Sequence, residues 1–258
     1  MGNLAQKRIF VSEDKIGLGK QAGQAAAAAI RDAIAKKGQA NIILATGTSQ
    51  FETLRELIAQ KDIDWSKVVM FHLDEYIGLP LSSKASFRKY LQERVLDHLP
   101  PLKKAVLIDG ETDPEKECDR LSKLISANPI DIALVGIGEN GHLAFNDPPA
   151  DFDTTQPYII VELDAACRKQ QFAEGWFDTI DDVPHRAISM SIHQVMLSKQ
   201  IICSAPDARK AVALSNCLTK PVSNLFPASI LQQHPACAFY LDKSSAALLN
   251  QEKNEAIY

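Results

Sequence analysis

Two short runs, Ile42-Ile43-Leu44-Ala45 and the stretch from Ile130 to Val135, are apolar almost throughout and lack the polar alternation of a strand with one wet face. A strand buried on both faces reads this way, and parallel sheets covered by helices on each side produce it. β-rich runs of this kind fall at Arg8–Val11, Ala40–Ala45, Val68–Leu73, Ala105–Ile108, Ile130–Gly136, Tyr158–Val161, Ala187–Ser191, Gln200–Ser204 and Cys237–Leu241. Between them lie helix-like stretches, Asp14–Lys36, Phe51–Ala59, Phe87–Leu96, Glu115–Ala127 and Ala208–Leu218, the second with apolar residues at 51, 54, 57 and 58. The alternation predicts an α/β fold: a doubly wound, mainly parallel, Rossmann-like sheet with helices on both faces, in a single domain over residues 1–258. Ligands of such folds gather beyond the carboxyl ends of the strands, so the loops after strands are where chemistry is sought.

Composition removes several classes. Against 28 Lys and Arg stand 32 Asp and Glu, a net charge of −4, which argues against nucleic acid as a partner. The longest uniform apolar stretch, Ala25 to Ile30, falls far short of the roughly 20 residues of a membrane span, so no membrane partner is expected. No apolar leader follows Met1, and Gln6 stands where N-terminal acylation wants Ser or Thr. Five cysteines, at 118, 167, 203, 217 and 237, form no C-x-x-C pair and read as reduced thiols of a cytoplasmic protein. The histidines at 72, 98, 185, 193 and 234 show no ligand spacing, and no metal is predicted.

Four loops carry candidate chemistry. Thr46-Gly47-Thr48-Ser49 follows a strand and precedes a helix; small residues, hydroxyls and a helix N-terminus suit an anion such as phosphate, although an ordinary N-cap has the same look. The absence of a Walker lysine argues against a nucleoside triphosphate. Asp74-Glu75 ends another strand, where a partly desolvated carboxylate is placed for proton transfer or, equally, caps a turn. Gly136-Ile137-Gly138-Glu139-Asn140-Gly141-His142 fits G-x-G-x-x-G, but Asn146-Asp147-Pro148-Pro149 breaks the helix a dinucleotide site needs, so no nicotinamide or flavin is expected. What is left there is a glycine-flanked histidine with a carboxylate five residues on, able to exchange protons near neutrality. Lys210, opening a helix after a strand, can reach a phosphate or lie in solvent.

Together these segments resemble the glucosamine-6-phosphate deaminase/isomerase family, whose superfamily includes 6-phosphogluconolactonase. The resemblance rests on Ala45–Ser49, Phe71-His72-Leu73-Asp74-Glu75-Tyr76-Ile77-Gly78-Leu79-Pro80, Ser86-Phe87, Gly136–Pro148 and Ala228–Pro235, in order over residues 8 to 242. It implies conversion of glucosamine 6-phosphate, a small-molecule sugar phosphate, to fructose 6-phosphate and ammonia, without a cofactor. By the same resemblance Asp74 matches the proton-transfer base and His142 the residue that assists ring opening. Asn140 and Asp147 match the positions that orient this histidine, and Thr46, Gly47, Thr48, Ser49 and Lys210 match the phosphate site.

The chain also departs from that pattern. Asp147 stands where Glu is usual, which shortens its reach. Thr48-Ser49-Gln50 replaces a common Gly-Thr-Pro. Gln171 falls where many members carry a phosphate-gripping arginine, and whether Arg168, one turn earlier, replaces it stays open. Basic residues of the allosteric site of hexameric members are missing around Tyr158–Val161, so hyperbolic kinetics are expected; a homo-oligomer stays open, a monomer or dimer fitting better than a hexamer. Two other readings compete. A lactonase of the same fold usually follows its histidine with x-Ala-Ser-Leu-Phe-Pro, unlike Leu143-Ala144-Phe145-Asn146-Asp147-Pro148. A non-catalytic sugar-phosphate sensor would need neither Asp74 nor His142.

Overall fold

A computed structural model describes residues 8–249. The acylation motif read at Met1-Gly2 and Gln6 lies outside them.

Nine expected strands form, and a tenth was not foreseen. Seven build one parallel sheet in the order β1-β10-β9-β6-β2-β3-β5. Their ranges are β1 Arg8–Ser12, β2 Ala40–Leu44, β3 Val68–His72, β5 Lys104–Val106, β6 Ile132–Val135, β9 Gln200–Ala205 and β10 Cys237–Asp242. The other three, β4 Asp74–Tyr76, β7 Tyr158–Glu162 and β8 Arg186–Met190, form an antiparallel sheet in the order β4-β8-β7. The expected loop at Asp74-Glu75 is therefore strand β4. One residue after β3 leaves the large sheet, the chain pairs with β8 instead, and Asp74 lies opposite Ser189.

The two-faced burial read from Ile42–Ala45 has a direct counterpart. Ile42 and Leu44 of β2 pack with Leu18, Ala22 and Ile30 of helix α1 (Lys15–Lys37), while Ile43 packs with Leu121 and Ile125 of α4 (Pro114–Ser126) on the opposite side. Alternate side chains of a strand point to opposite faces, so consecutive apolar residues are what a strand covered on both sides calls for. Helices α2 (Phe51–Ile58) and α3 (Phe87–Arg94) join α1's side, whereas α6 (Ile192–Met196) and α7 (Ala211–Thr219) join α4's. Asp14 and Asp113 cap α1 and α4, accepting from Gly17 N and Lys116 N at 2.8 and 3.0 Å. The remaining helix, α5 (Ala165–Ala173), and the short α6 were not apparent from periodicity. The expected helix from Ala208 opens as a 3₁₀ turn, Ala208–Lys210, before α7. Among the described residues no helix is long and apolar enough to cross a membrane.

A third apolar cluster joins the small sheet to α3 and α5. Tyr76 of β4 contacts Phe87, Phe145 and Phe177, with ring centroids 5.0, 5.2 and 5.5 Å away. This aromatic block fixes β4 and the loop after β6 as two walls of one cleft.

Candidate active site

The cleft opens at the carboxyl ends of β2, β3, β6 and β9, and brings the four sequence loops together. Thr46, Gly47, Thr48, Ser49, Asp74, His142 and Lys210 all line it.

The turn after β2 leads through a 3₁₀ turn, Thr48–Gln50, straight into α2. Gly47 takes φ +92°, a conformation side chains disfavour. The backbone N–H groups of Thr46 to Ser49 have no hydrogen-bond acceptor among the described residues. Four consecutive free donors at the head of a helical segment form an anion cradle. Lys210 completes it. The residue is buried, with 6% exposed, and its side chain has no ion pair or hydrogen bond among the described residues. Burial lowers its pKa, against the pull of Glu174 and Glu139. Neighbouring Arg209 is committed elsewhere, to Asp207 at 3.2 Å and Glu139 at 3.4 Å. An unpaired ammonium sharing a cleft with free N–H groups is a costly arrangement unless an anion arrives.

Asp74 and Glu75 point to opposite faces of β4 and do different work. Glu75 is fully buried and accepts from Tyr76 N, Ser86 Oγ, Phe87 N and Arg88 N at 2.9, 2.9, 3.2 and 2.8 Å, which fastens the N-terminus of α3 to β4. Burial raises its pKa and those four bonds oppose the rise. Asp74 faces the cleft with no such partners among the described residues. Burial, and then the charge of Glu75, push its pKa up to about 8.

The loop after β6 is shaped around His142. A Cβ on Gly138 would overlap the imidazole, so the second glycine of the motif serves the histidine and not a dinucleotide. Asn140 Oδ1 accepts from His142 N at 3.0 Å, and Asn140 Nδ2 donates to Asp147 Oδ1 at 2.9 Å. The same Oδ1 meets His142 Nδ1 at 3.0 Å. Asp147 thus touches the ring directly despite its short side chain. Burial disfavours its charge, but His142, Asn140 and the thiol of Cys167 outweigh that and hold its pKa below the ordinary value. Asn140 and Asp147 stand behind the histidine and not on the cleft wall. Among the described residues, His142, Asp147 and Cys167 also place three donor atoms within 4.8 Å of one another.

A carboxyl group poised near neutrality, an imidazole held by a carboxylate and an anion cradle, sharing one cleft, are the parts needed to move protons on a phosphorylated substrate. A family model described as glucosamine-6-phosphate isomerases/6-phosphogluconolactonase matches residues 13–239. The chain belongs to that family. It is 34% identical over 243 residues to a glucosamine-6-phosphate deaminase of Lactobacillus delbrueckii subsp. bulgaricus, covering 94% of this chain and 99% of that one. It is 35% identical over 223 residues to a deaminase of the same name from Bacillus thuringiensis, covering 86% and 83%. A solved monomeric glucosamine-6-phosphate deaminase superposes with a TM-score of 0.84 at 29% identity, over 93% of this chain and 99% of that one. The 6-phosphogluconolactonase of Thermotoga maritima shares the fold, with a TM-score of 0.77 at 17% identity over 92% of this chain and all of that one.

The cleft has one further wall. It comes from α5, which sequence reasoning passed over because Ala165–Ala173 shows little apolar periodicity. Gln170, Gln171 and Glu174 line the cleft from this side. Gln171 Oε1 accepts from Tyr76 Oη at 2.8 Å. Arg168 does not replace an arginine there: its guanidinium donates to the carbonyls of Val183 and Ile180 at 3.1 and 2.8 Å, and it does not line the cleft.

Proposed function

We propose that the protein deaminates and isomerises glucosamine 6-phosphate to fructose 6-phosphate, with the phosphate in the Thr46–Ser49 and Lys210 cradle and the sugar's first two carbons between Asp74 and His142. The observation that carries this reading is the single cleft lined by Asp74, His142 and Lys210. The deaminases at 34–35% identity support the choice of reaction.

In this scheme His142, oriented by Asp147 and Asn140, carries the anomeric hydroxyl proton to the ring oxygen and opens the ring. Asp74 as carboxylate then takes the proton on C2. The pair from that C–H bond forms a C1–C2 double bond while the carbonyl oxygen takes up a proton, giving an enolamine. Asp74 returns its proton to C1, leaving an iminium at C2. Water adds to that carbon, ammonia leaves, and the ketone remains. Every step is proton transfer or hydration, so protein side chains and water suffice. Five free cysteines, four of them buried, suit a reducing compartment such as the cytoplasm.

The test is stoichiometry. Glucosamine 6-phosphate should give ammonia and fructose 6-phosphate one to one, and 6-phosphogluconolactone should hydrolyse no faster than without protein. Lactone hydrolysis without ammonia release from any hexosamine phosphate would instead favour the lactonase reading; binding of the sugar phosphate without turnover would favour the sensor.

A further inference from the structure

Glu174 brings a carboxylate to the phosphate end of the cleft. It follows α5 directly and lines the cleft beside Gly47 and Lys210. Its Oε2 lies 4.0 Å from where a Cβ would stand on Gly47. Gln170 Nε2 donates to Oε1 at 3.4 Å, whereas Oε2 has no hydrogen bond among the described residues. No ion pair within 4.0 Å joins Glu174 to Lys210, yet among surrounding charges Glu174 acts most strongly to keep that lysine protonated. Tyr90, which donates to Gly47 O at 3.0 Å, also feels this carboxylate.

For a site that held only an anion, this is the wrong charge. A bare dianion entering the cradle gains Lys210 and four N–H groups but meets a carboxylate to which it offers no proton. A phosphate ester on a polyhydroxylated carbon chain brings hydroxyl donors next to its phosphate, and an acceptor with a free oxygen can use them. Discrimination built on a buried polar group left unpaired by the wrong ligand is stronger than discrimination by shape. We propose that Glu174 is a specificity-determining residue, which disfavours bare dianions in the cradle and accepts a hydroxyl of the phosphorylated sugar at Oε2. The proposal rests on the phosphate cradle assigned above, and it names the carboxylate as the element that makes the cradle selective.

The experiment uses sulfate, a dianion without a hydroxyl, and glucosamine 6-phosphate, on the parent, Glu174→Gln and Glu174→Ala. Glu174 is only half-buried at a helix end, so neither change opens the core. Calorimetry should show sulfate binding about tenfold more tightly to both variants, the scale of removing one opposing charge at close range. KM for glucosamine 6-phosphate should rise several-fold in Glu174→Ala, which has no acceptor, and less in Glu174→Gln, which keeps one. Unchanged sulfate affinity would overturn the proposal, as would equal tightening of sulfate and the sugar phosphate, which would make Glu174 a repelling charge and nothing more. The sulfate measurement needs no turnover. If the protein released no ammonia, the proposed reaction would fall while displacement of sulfate by the sugar phosphate would still read Glu174.

Discussion

In the proposed reaction the charge state of Asp74 sets the pH dependence. A base must be ionised to act, and this one sits at about 8 because it is buried and then because Glu75 is its neighbour. Below that value the ionised fraction falls tenfold per pH unit, so kcat/KM should climb close to tenfold per unit on the acid side and level off above about 8. The substrate complicates the limb, since its phosphate titrates near 6 and an amine of this kind at about 8. Glu75→Gln separates the two contributions. The substitution removes a negative charge beside Asp74 while keeping an acceptor for the N-terminus of α3, from which Glu75 now takes three hydrogen bonds, through Ser86, Phe87 and Arg88. The limb should move to lower pH, by up to about one unit, because only an enzyme group responds to the change. The assay is ammonia release at low substrate from pH 5.5 to 9.5 on both proteins, run at constant ionic strength. A parent profile flat across the range, or a limb that Glu75→Gln leaves in place, would refute Asp74 as the titrating base.

Three further outcomes follow from the same geometry. Lys210→Ala should raise KM for glucosamine 6-phosphate by roughly 10- to 150-fold, the worth of a charge-assisted hydrogen bond of about 1.5–3 kcal/mol, and an unphosphorylated amino sugar used equally well by the parent would defeat the cradle. Asp147→Ala should lower kcat/KM by about a hundredfold and Asp147→Glu by less, because His142 Nδ1 loses or is displaced from the oxygen now 3.0 Å away; an unchanged Asp147→Ala would reduce that residue to a turn former. Asp74→Asn should be more stable than the parent at alkaline pH. Native Asp74 holds its proton up to about 8 against an ordinary 3.8, so the folded state binds more protons between those values and its stability drains away as pH rises through them. Asn escapes that loss, so the difference in Tm should be small at pH 5 and grow toward pH 9; a constant difference would mean Asp74 ionises as easily folded as unfolded.

Much of this was legible in the chain because burial leaves a linear trace. Strand β2 is apolar from Ile42 to Leu44 since both its faces are covered there, and Asp14 and Asp113 stand at the starts of the helices they cap. The residues of the cleft could be named because each loop follows a strand directly. Strand β4 was hidden for the opposite reason: three residues, two of them carboxylic acids, have no β signature, and only pairing with β8 makes them a strand. Helix α5 was hidden because its cleft-facing residues are glutamines, polar where periodicity looks for apolar side chains. Glu174 escaped with it. The partnership of Cys167 with Asp147 spans twenty residues of sequence and is set by tertiary packing alone.

In the proposed reaction Asp74 carries the C2 proton. Asp74→Asn should bind glucosamine 6-phosphate with near-parental affinity in a calorimeter while its rate of fructose 6-phosphate formation drops by about 10²–10⁴-fold, the usual contribution of a general base. Near-parental formation of fructose 6-phosphate and ammonia by Asp74→Asn would contradict it.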